Sequence, residues 1–254
     1  MNVEALAMVP AVMRTLARRL AETLQDRLVG LYLGGSTATG DFALATSDFD
    51  FLAVIAGDFT PHDLQRLEML HQELLRMSDD ARRLEGDYAP HHLLVAEGTS
   101  APVPGVFHGL FVRDVDEIML SADNIADMRL HGIAVVGPPP SAVLPRVTPE
   151  QVRAAVLAML RDGPHDCASE TDAASEILNL VRAVCALETG QPATKGQGAE
   201  WALARLGREW HPIIRKAQAV RHGQQVTLDD WTLRKAIPEL NRTLRPFYEH
   251  PANS

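Results

Sequence analysis

Residues 31–55 read LYLGGSTATGDFALATSDFDFLAVI. The apolar run over 28–34 stops at Gly34-Gly35-Ser36, crosses a polar loop to Ser47, and resumes over 49–56 as FDFLAVIA, rich in strand formers. Strand, break and strand is the expected local structure. Side chains alternate faces along a strand, so Asp48 and Asp50 project one way, about 7 Å apart, and Phe49 and Phe51 the other. Two carboxylates side by side repel and cost stability unless a cation compensates. Oxygen donors at this spacing suit Mg²⁺, which takes one or two protein carboxylates and completes its shell with water and substrate phosphates. A solvated acidic strand edge is the plainer alternative for the two acids alone.

The upstream glycines bear on that choice. At the end of a strand they leave the backbone bare, so N–H groups can approach a phosphate, and the Ser36 hydroxyl adds a donor. Alone, Gly-Gly-Ser is a common turn. Followed after 11 residues by Asp48-Phe49-Asp50, it sets a phosphate-gripping turn beside a metal-binding strand, the pairing that nucleotide chemistry requires.

Outward from this stretch the pattern alternates and then changes. Leu6, Val9, Met13, Leu16, Leu20 and Leu24 recur at helical spacing over 3–24. Thr60-Pro61 is an N-cap with proline at the first helical position, opening a helix to about Met77. HHLLVAEG (91–98) and VFHGLFVRD (106–114) read as two further strands, joined through the turn-rich GTSAPVPG (98–105). A short helix is expected over 125–130. The prolines at 138–140 are expected to exclude helix and central strand, and the domain boundary is placed there. Beyond it Thr148-Pro149-Glu150-Gln151 opens a helix, and 171–188, 198–206, 210–221 and 228–248 continue as helices. The fold class is α+β, a mixed sheet with flanking helices over 1–140 and an all-helical bundle over 141–254.

Composition narrows the function. The 254 residues are 46% hydrophobic and 22% charged, which excludes wholesale disorder. Cys167 and Cys185 form no CxxC pattern, and no signal-peptide core or apolar run long enough to span a bilayer is present. A cytoplasmic protein with inert cysteines and no membrane partner is expected. The ten histidines show no zinc-site spacing and read as surface or core residues. Of the net charge of −9, residues 1–140 carry −10, with 20 acids against 10 arginines, and the remainder carries +1. An acidic first half repels a nucleic-acid backbone and favours cations, metal or organic.

Gly35-Ser36 and Asp48-x-Asp50 resemble, in order and residue type, the signature of the nucleotidyltransferase superfamily. The resemblance narrows to the aminoglycoside 3''/9 (streptomycin/spectinomycin) adenylyltransferases, antibiotic-resistance enzymes. LEGDYAP (84–90) looks like their Leu-Glu strand, HGIAVVGP (131–138) like their interdomain strand, and residues 177–206 are similar to their helical-domain core. Similarity extends over about residues 28–225. What it implies is an ATP- and Mg²⁺-dependent adenylyl transfer to a hydroxyl of a cationic, aminoglycoside-like small molecule, by a monomer that binds no nucleic acid. In this reading 1–140 is the nucleotidyltransferase domain and 141–254 closes on nucleotide and substrate. Asp48, Asp50 and Glu85 hold the metal, with Glu85 as base and Asp87 as the other candidate for that role. Gly35, Ser36, Ser47, Arg182 and Lys195 bind the nucleotide, and Asp172 meets the cationic acceptor. An arginine inside the apolar run Leu178, Leu180, Val181, Val184 is costly without an anion or a salt bridge.

The sequence also departs from that family. Phe111 stands near the tryptophan of streptomycin-modifying members, and Arg221 near a tyrosine on the adenine side. Two other readings are a toxin-type nucleotidyltransferase acting on protein or RNA, against which the acidic surface argues for RNA, and a non-catalytic ligand-binding homologue.

Overall fold

The computed structural model describes residues 9–95, 102–115, 120–162, 167, 169–224 and 230–249. Contacts group the chain into two compact units. The first is Met1–Gly40 with Asp48–Val147, and the second is Asp41–Ser47 with Thr148–Ser254.

In chain order the first unit contains α1 (Ala11–Leu24), β1 (Leu28–Leu33), α2 (Gly35–Thr39), β2 (Phe49–Ile55), α3 (Pro61–Met77) and β3 (Leu84–Pro90). It continues with α4 (His91–Val95), β4 (Val103–Phe107), β5 (Leu110–Val115), α5 (Ala122–His131), β6 (Ile133–Val136) and α6 (Pro140–Val143). The sheet order is β5-β4-β3-β2-β1-β6. Among the described residues only β2 and β3 pair in parallel, with Phe49 opposite Leu84 and Asp50 opposite Glu85; the other pairings are antiparallel. A parallel pair needs a crossover, and α3 supplies it.

Local signals explain the elements. Thr60 caps α3 with a reciprocal box: the Asp63 N–H donates to Thr60 Oγ1 at 3.2 Å and the Thr60 N–H to Asp63 Oδ2 at 2.8 Å, with Pro61 at the first helical position. Strand alternation then splits β2 between two layers. Leu52 and Val54 pack with Tyr32, Ala89, Ile125 and Met128 on the face covered by α5. Phe51 faces the other way, against His71 of α3 and Tyr88 of β3. Burial of Leu67, Leu70 and Leu74 from α3 contributes about 1.5–3 kcal/mol each.

Four local expectations are corrected. His91–Val95 is a short helix, not a strand, because a five-residue apolar run has too few positions to show a period. VFHGLFVRD is the tip of a hairpin, β4, turn, β5, with positive φ at both turn residues, His108 (50°) and Gly109 (77°). A helix opens at Pro140, within the proline run; proline is excluded from helix interiors but suits the first turn. Gly35–Thr39, expected as loop, forms one helical turn closed by Gly40 at φ 75°. The start of the helix expected over 3–24, the turn at 98–101 and the start of the helix expected over 228–248 lie outside the described residues, in whole or in part.

The second unit holds α7 (Pro149–Asp162), α8 (Glu170–Thr189), α9 (Lys195–Arg205), α10 (His211–Arg221) and α11 (Asp230–Glu249). α8 is its centre. Its buried Ile177, Leu178, Leu180, Val181 and Val184 pack with Ala199, Ala202, Ile214, Ala217, Leu240 and Leu244 of the surrounding helices. Capping boxes start α8 (Ser169 with Asp172) and α9 (Thr194 with Gln197). Lys216, fully buried, pairs with Glu170 at 2.9 Å. No helix among the described residues is long and apolar enough to cross a membrane.

His71 gives the first unit a pH dependence. Its Nε2 lies 2.6 Å from Tyr88 Oη, its ring stacks on Phe51 and Phe111, and burial pushes its pKa down to about 3. Between the ordinary histidine value of about 6.5 and about 3, the unfolded chain binds a proton that the folded chain refuses. Stability therefore falls with acidification through this window, by up to about 1.4 kcal/mol per pH unit, and is unchanged by this group above it. His71→Phe keeps the stacking, and in urea denaturation between pH 7 and pH 4 it is expected to show a shallower loss than the parent chain. Its cost at neutral pH is expected to be about 1–3 kcal/mol, because the Tyr88 hydroxyl loses its buried partner.

Candidate active site

The parallel register of β2 and β3 builds the site. Both strands begin at the same end of the sheet, so Asp50 and Glu85 are lateral neighbours on one face, and Asp48 lies one residue before β2. The antiparallel hairpin brings a further group to this end: the Gly109 N–H donates to the Leu84 carbonyl at 2.9 Å, pinning the turn beside Glu85. His108 in that turn reaches Glu85, Nδ1 to Oε1 at 3.2 Å. Ligand atoms of Asp48, Glu85 and His108 all lie within 4.8 Å of one another.

Asp50 has a different neighbour. Gly35 sits at φ 56°, and a Cβ there would come 1.8 Å from Asp50 Oδ2. The Gly34 N–H donates to the Asp50 carbonyl at 2.8 Å, locking the glycine turn onto the start of β2. Glycine at 35 is thus required twice, for its left-handed backbone and for the space the carboxylate fills. Ser36 follows in the first turn of α2.

The donor set fits a divalent cation. Carboxylate oxygens at one strand end, partly open to solvent, are the ligands Mg²⁺ takes while keeping water and phosphate positions. Glu85, with 16% of its side chain exposed, can also accept a proton from a hydroxyl. Asp87, two residues on, is fully buried.

The remaining residues expected to contribute fall in the second unit. Lys195 Nζ donates to Ser175 Oγ at 2.6 Å, linking the start of α9 to α8. Arg182 lies half-buried on α8, where a Cβ on Gly198 of α9 would come within 2.5 Å of its Cα. Asp172 Oδ2 accepts from the Ser169 N–H at 2.8 Å, so this carboxylate serves as the helix cap. Ser47 Oγ accepts from the Ala43 N–H at 2.9 Å, closing the loop before Asp48.

That loop is anchored by a buried arginine. Arg221 of α10 donates to Asp41 Oδ1 at 3.1 Å and stands 3.0 Å from Oδ2, and it also holds the Asp41 carbonyl. The Gly196 N–H donates to Asp41 Oδ2 at 3.2 Å, and Thr46 Oγ1 donates to the Arg221 carbonyl at 2.7 Å. Sequence reasoning missed this clamp, since residues 155 or more positions apart carry no local signal. It also missed His108, although His-Gly between two runs of strand formers is a turn signal. Arg221→Ala is expected to lose about 2–4 kcal/mol in urea denaturation, because Asp41 is left half-buried without its cation. Arg221→Lys is expected to recover only part of this, lacking the second donor.

Residues 142–245 match the family described as aminoglycoside adenylyltransferase, C-terminal domain. No curated protein matches by sequence. Among solved structures, the spectinomycin adenyltransferase AAD(9) from Enterococcus faecialis, crystallised with ATP and spectinomycin, matches with a TM-score of 0.73 at 18% identity. The match covers 92% of this chain and 98% of that one, so the two share a fold from end to end. Residues 142–245 thus carry the C-terminal domain of this family, and the chain as a whole shares the fold of AAD(9).

Proposed function

We propose that this protein transfers an adenylyl group from ATP to a hydroxyl of an aminoglycoside-type, cationic small molecule, conferring resistance to that compound. The observation that carries the reading is the β2–β3 register, which sets Asp50 beside Glu85, with Asp48 one residue before β2 and the Gly34-Gly35-Ser36 turn against the same strand. The family of residues 142–245 supports the choice of acceptor, as does the binding of ATP and spectinomycin by AAD(9).

Asp48, Asp50 and Glu85 are the residues that would hold Mg²⁺, which when bound neutralises charge on the triphosphate. Ser36 and the bare backbone at Gly35 orient the phosphates. Arg182 and Lys195 are the proposed cations for the same phosphates, with Ser47 as a further nucleotide contact. Glu85 takes the proton from the attacking hydroxyl as it approaches the α-phosphorus, and pyrophosphate leaves. The excess of acids in residues 1–140 raises the local concentration of a polycationic acceptor, and Asp172 is a proposed contact for it.

Pyrophosphate release from ATP and Mg²⁺, assayed across a panel that includes spectinomycin and streptomycin, tests the proposal; silence across the panel overturns it. Asp50→Asn is expected to reduce release by on the order of a thousandfold while leaving the melting temperature within a few degrees. Gly35→Ala is expected to act through Asp50, whose carboxylate its methyl displaces, giving a loss of at least about a hundredfold in kcat. Full activity in Gly35→Ala would show that the position of the Asp50 carboxylate does not matter.

A further inference from the structure

His108 has no place in the chemistry above, yet the fold holds it there. It occupies the first of two positive-φ positions in the β4–β5 turn, and the second, Gly109, is bonded to the residue preceding Glu85. The imidazole is 63% exposed and its Nδ1 faces Glu85 Oε1 at 3.2 Å, within the same 4.8 Å group as an Asp48 oxygen. Ligand atoms of one octahedral ion, each about 2.1 Å from the metal, stand about 3 Å apart along an edge and about 4.2 Å apart across the centre. The 3.2 Å between His108 Nδ1 and Glu85 Oε1 matches such an edge, and an Asp48 oxygen belongs to the same cluster.

We propose that His108 is a ligand of the divalent-ion site, adding an imidazole nitrogen to the oxygens of Asp48 and Glu85, so that the site takes Mn²⁺ in preference to Mg²⁺. An all-oxygen set suits the hard Mg²⁺, whereas a neutral imidazole nitrogen favours first-row transition ions. The histidine arrives from a hairpin turn and the carboxylates from two parallel strands, so the mixed donor set comes from three separate segments of the chain. This deepens the adenylyl-transfer reading and rests on it for one point, that these carboxylates hold a divalent ion.

The test uses the full chain with Mn²⁺ alone. Pulsed EPR of the bound ion detects hyperfine coupling from a directly bonded nitrogen, which is expected in the parent chain and lost in His108→Asn. Asparagine tolerates the left-handed backbone of this turn and offers no imidazole. By titration, the same substitution is expected to weaken Mn²⁺ binding about tenfold and Mg²⁺ binding less than about threefold. No Mn²⁺ bound at millimolar concentration, Mn²⁺ bound without nitrogen coupling, or coupling that persists in His108→Asn, overturns the proposal. Each of these can occur with pyrophosphate release intact, which leaves the function standing. Nitrogen coupling that depends on His108 in a protein that releases no pyrophosphate supports the ligand and counts against the function alone.

Discussion

The parallel pairing of β2 with β3 organises both the core of the first unit and its candidate site. Antiparallel neighbours can be joined by a short turn, but a parallel pair obliges the chain to leave the sheet and return. α3 makes that return and in doing so covers the face on which Phe51, His71 and Tyr88 pack. The opposite face is left with Asp50 and Glu85 at the shared beginning of the two strands. One register thus sets an aromatic layer on one side and adjacent acids on the other. A slip of one residue would exchange the faces and bury the carboxylates.

Placing two carboxylates on adjacent strands is unfavourable in itself. The fold tolerates it where the strands begin, where solvent reaches and where the neighbouring backbone is held by bonds of its own. Gly34 is tied to Asp50 and Gly109 to Leu84, so the strand starts are clamped from both sides of the pair. The side chains keep their positions because the backbone beneath them is fixed. Adjacent carboxylates are an arrangement whose repulsion a divalent ion relieves.

Much of this was legible before any coordinates, for physical reasons that differ by element. The strand at 49–55 combines β-branched and aromatic residues with alternation, and Thr60-Pro61 carries its own hydrogen-bonding logic, so both were readable locally. The α+β organisation followed from the change of period after the proline run, and Asp48 and Asp50 stood out as acids beside an apolar strand. What was not legible lies in pairings between distant residues. His91–Val95 becomes helical because the sheet ends at Pro90 and Leu94 then packs against the core under α5, a tertiary outcome that five residues cannot signal. His108 sits within a run of strand formers, which hides the reversal made by positive φ at His108 and Gly109. Its nearness to Glu85 depends on β4 pairing with β3, which no spacing in the sequence encodes.

The clamp on residues 41–47 shows why the arginine at 221 is compatible with the fold even though the resembled family has a tyrosine near that point. An arginine buried to 7% exposure is costly unless its donors are satisfied, and Asp41 satisfies them with both its carboxylate and its carbonyl. Asp41 also receives the Gly196 N–H at the start of α9, so one loop residue ties together two helices of the second unit. The loop that separates Ser36 from Asp48 in sequence therefore belongs, by its contacts, with the helices rather than with the sheet it interrupts. Since Ser47 is joined directly to Asp48, the freedom of the first carboxylate is limited at its N-terminal side by a clamp in the helical unit and at its C-terminal side by β2.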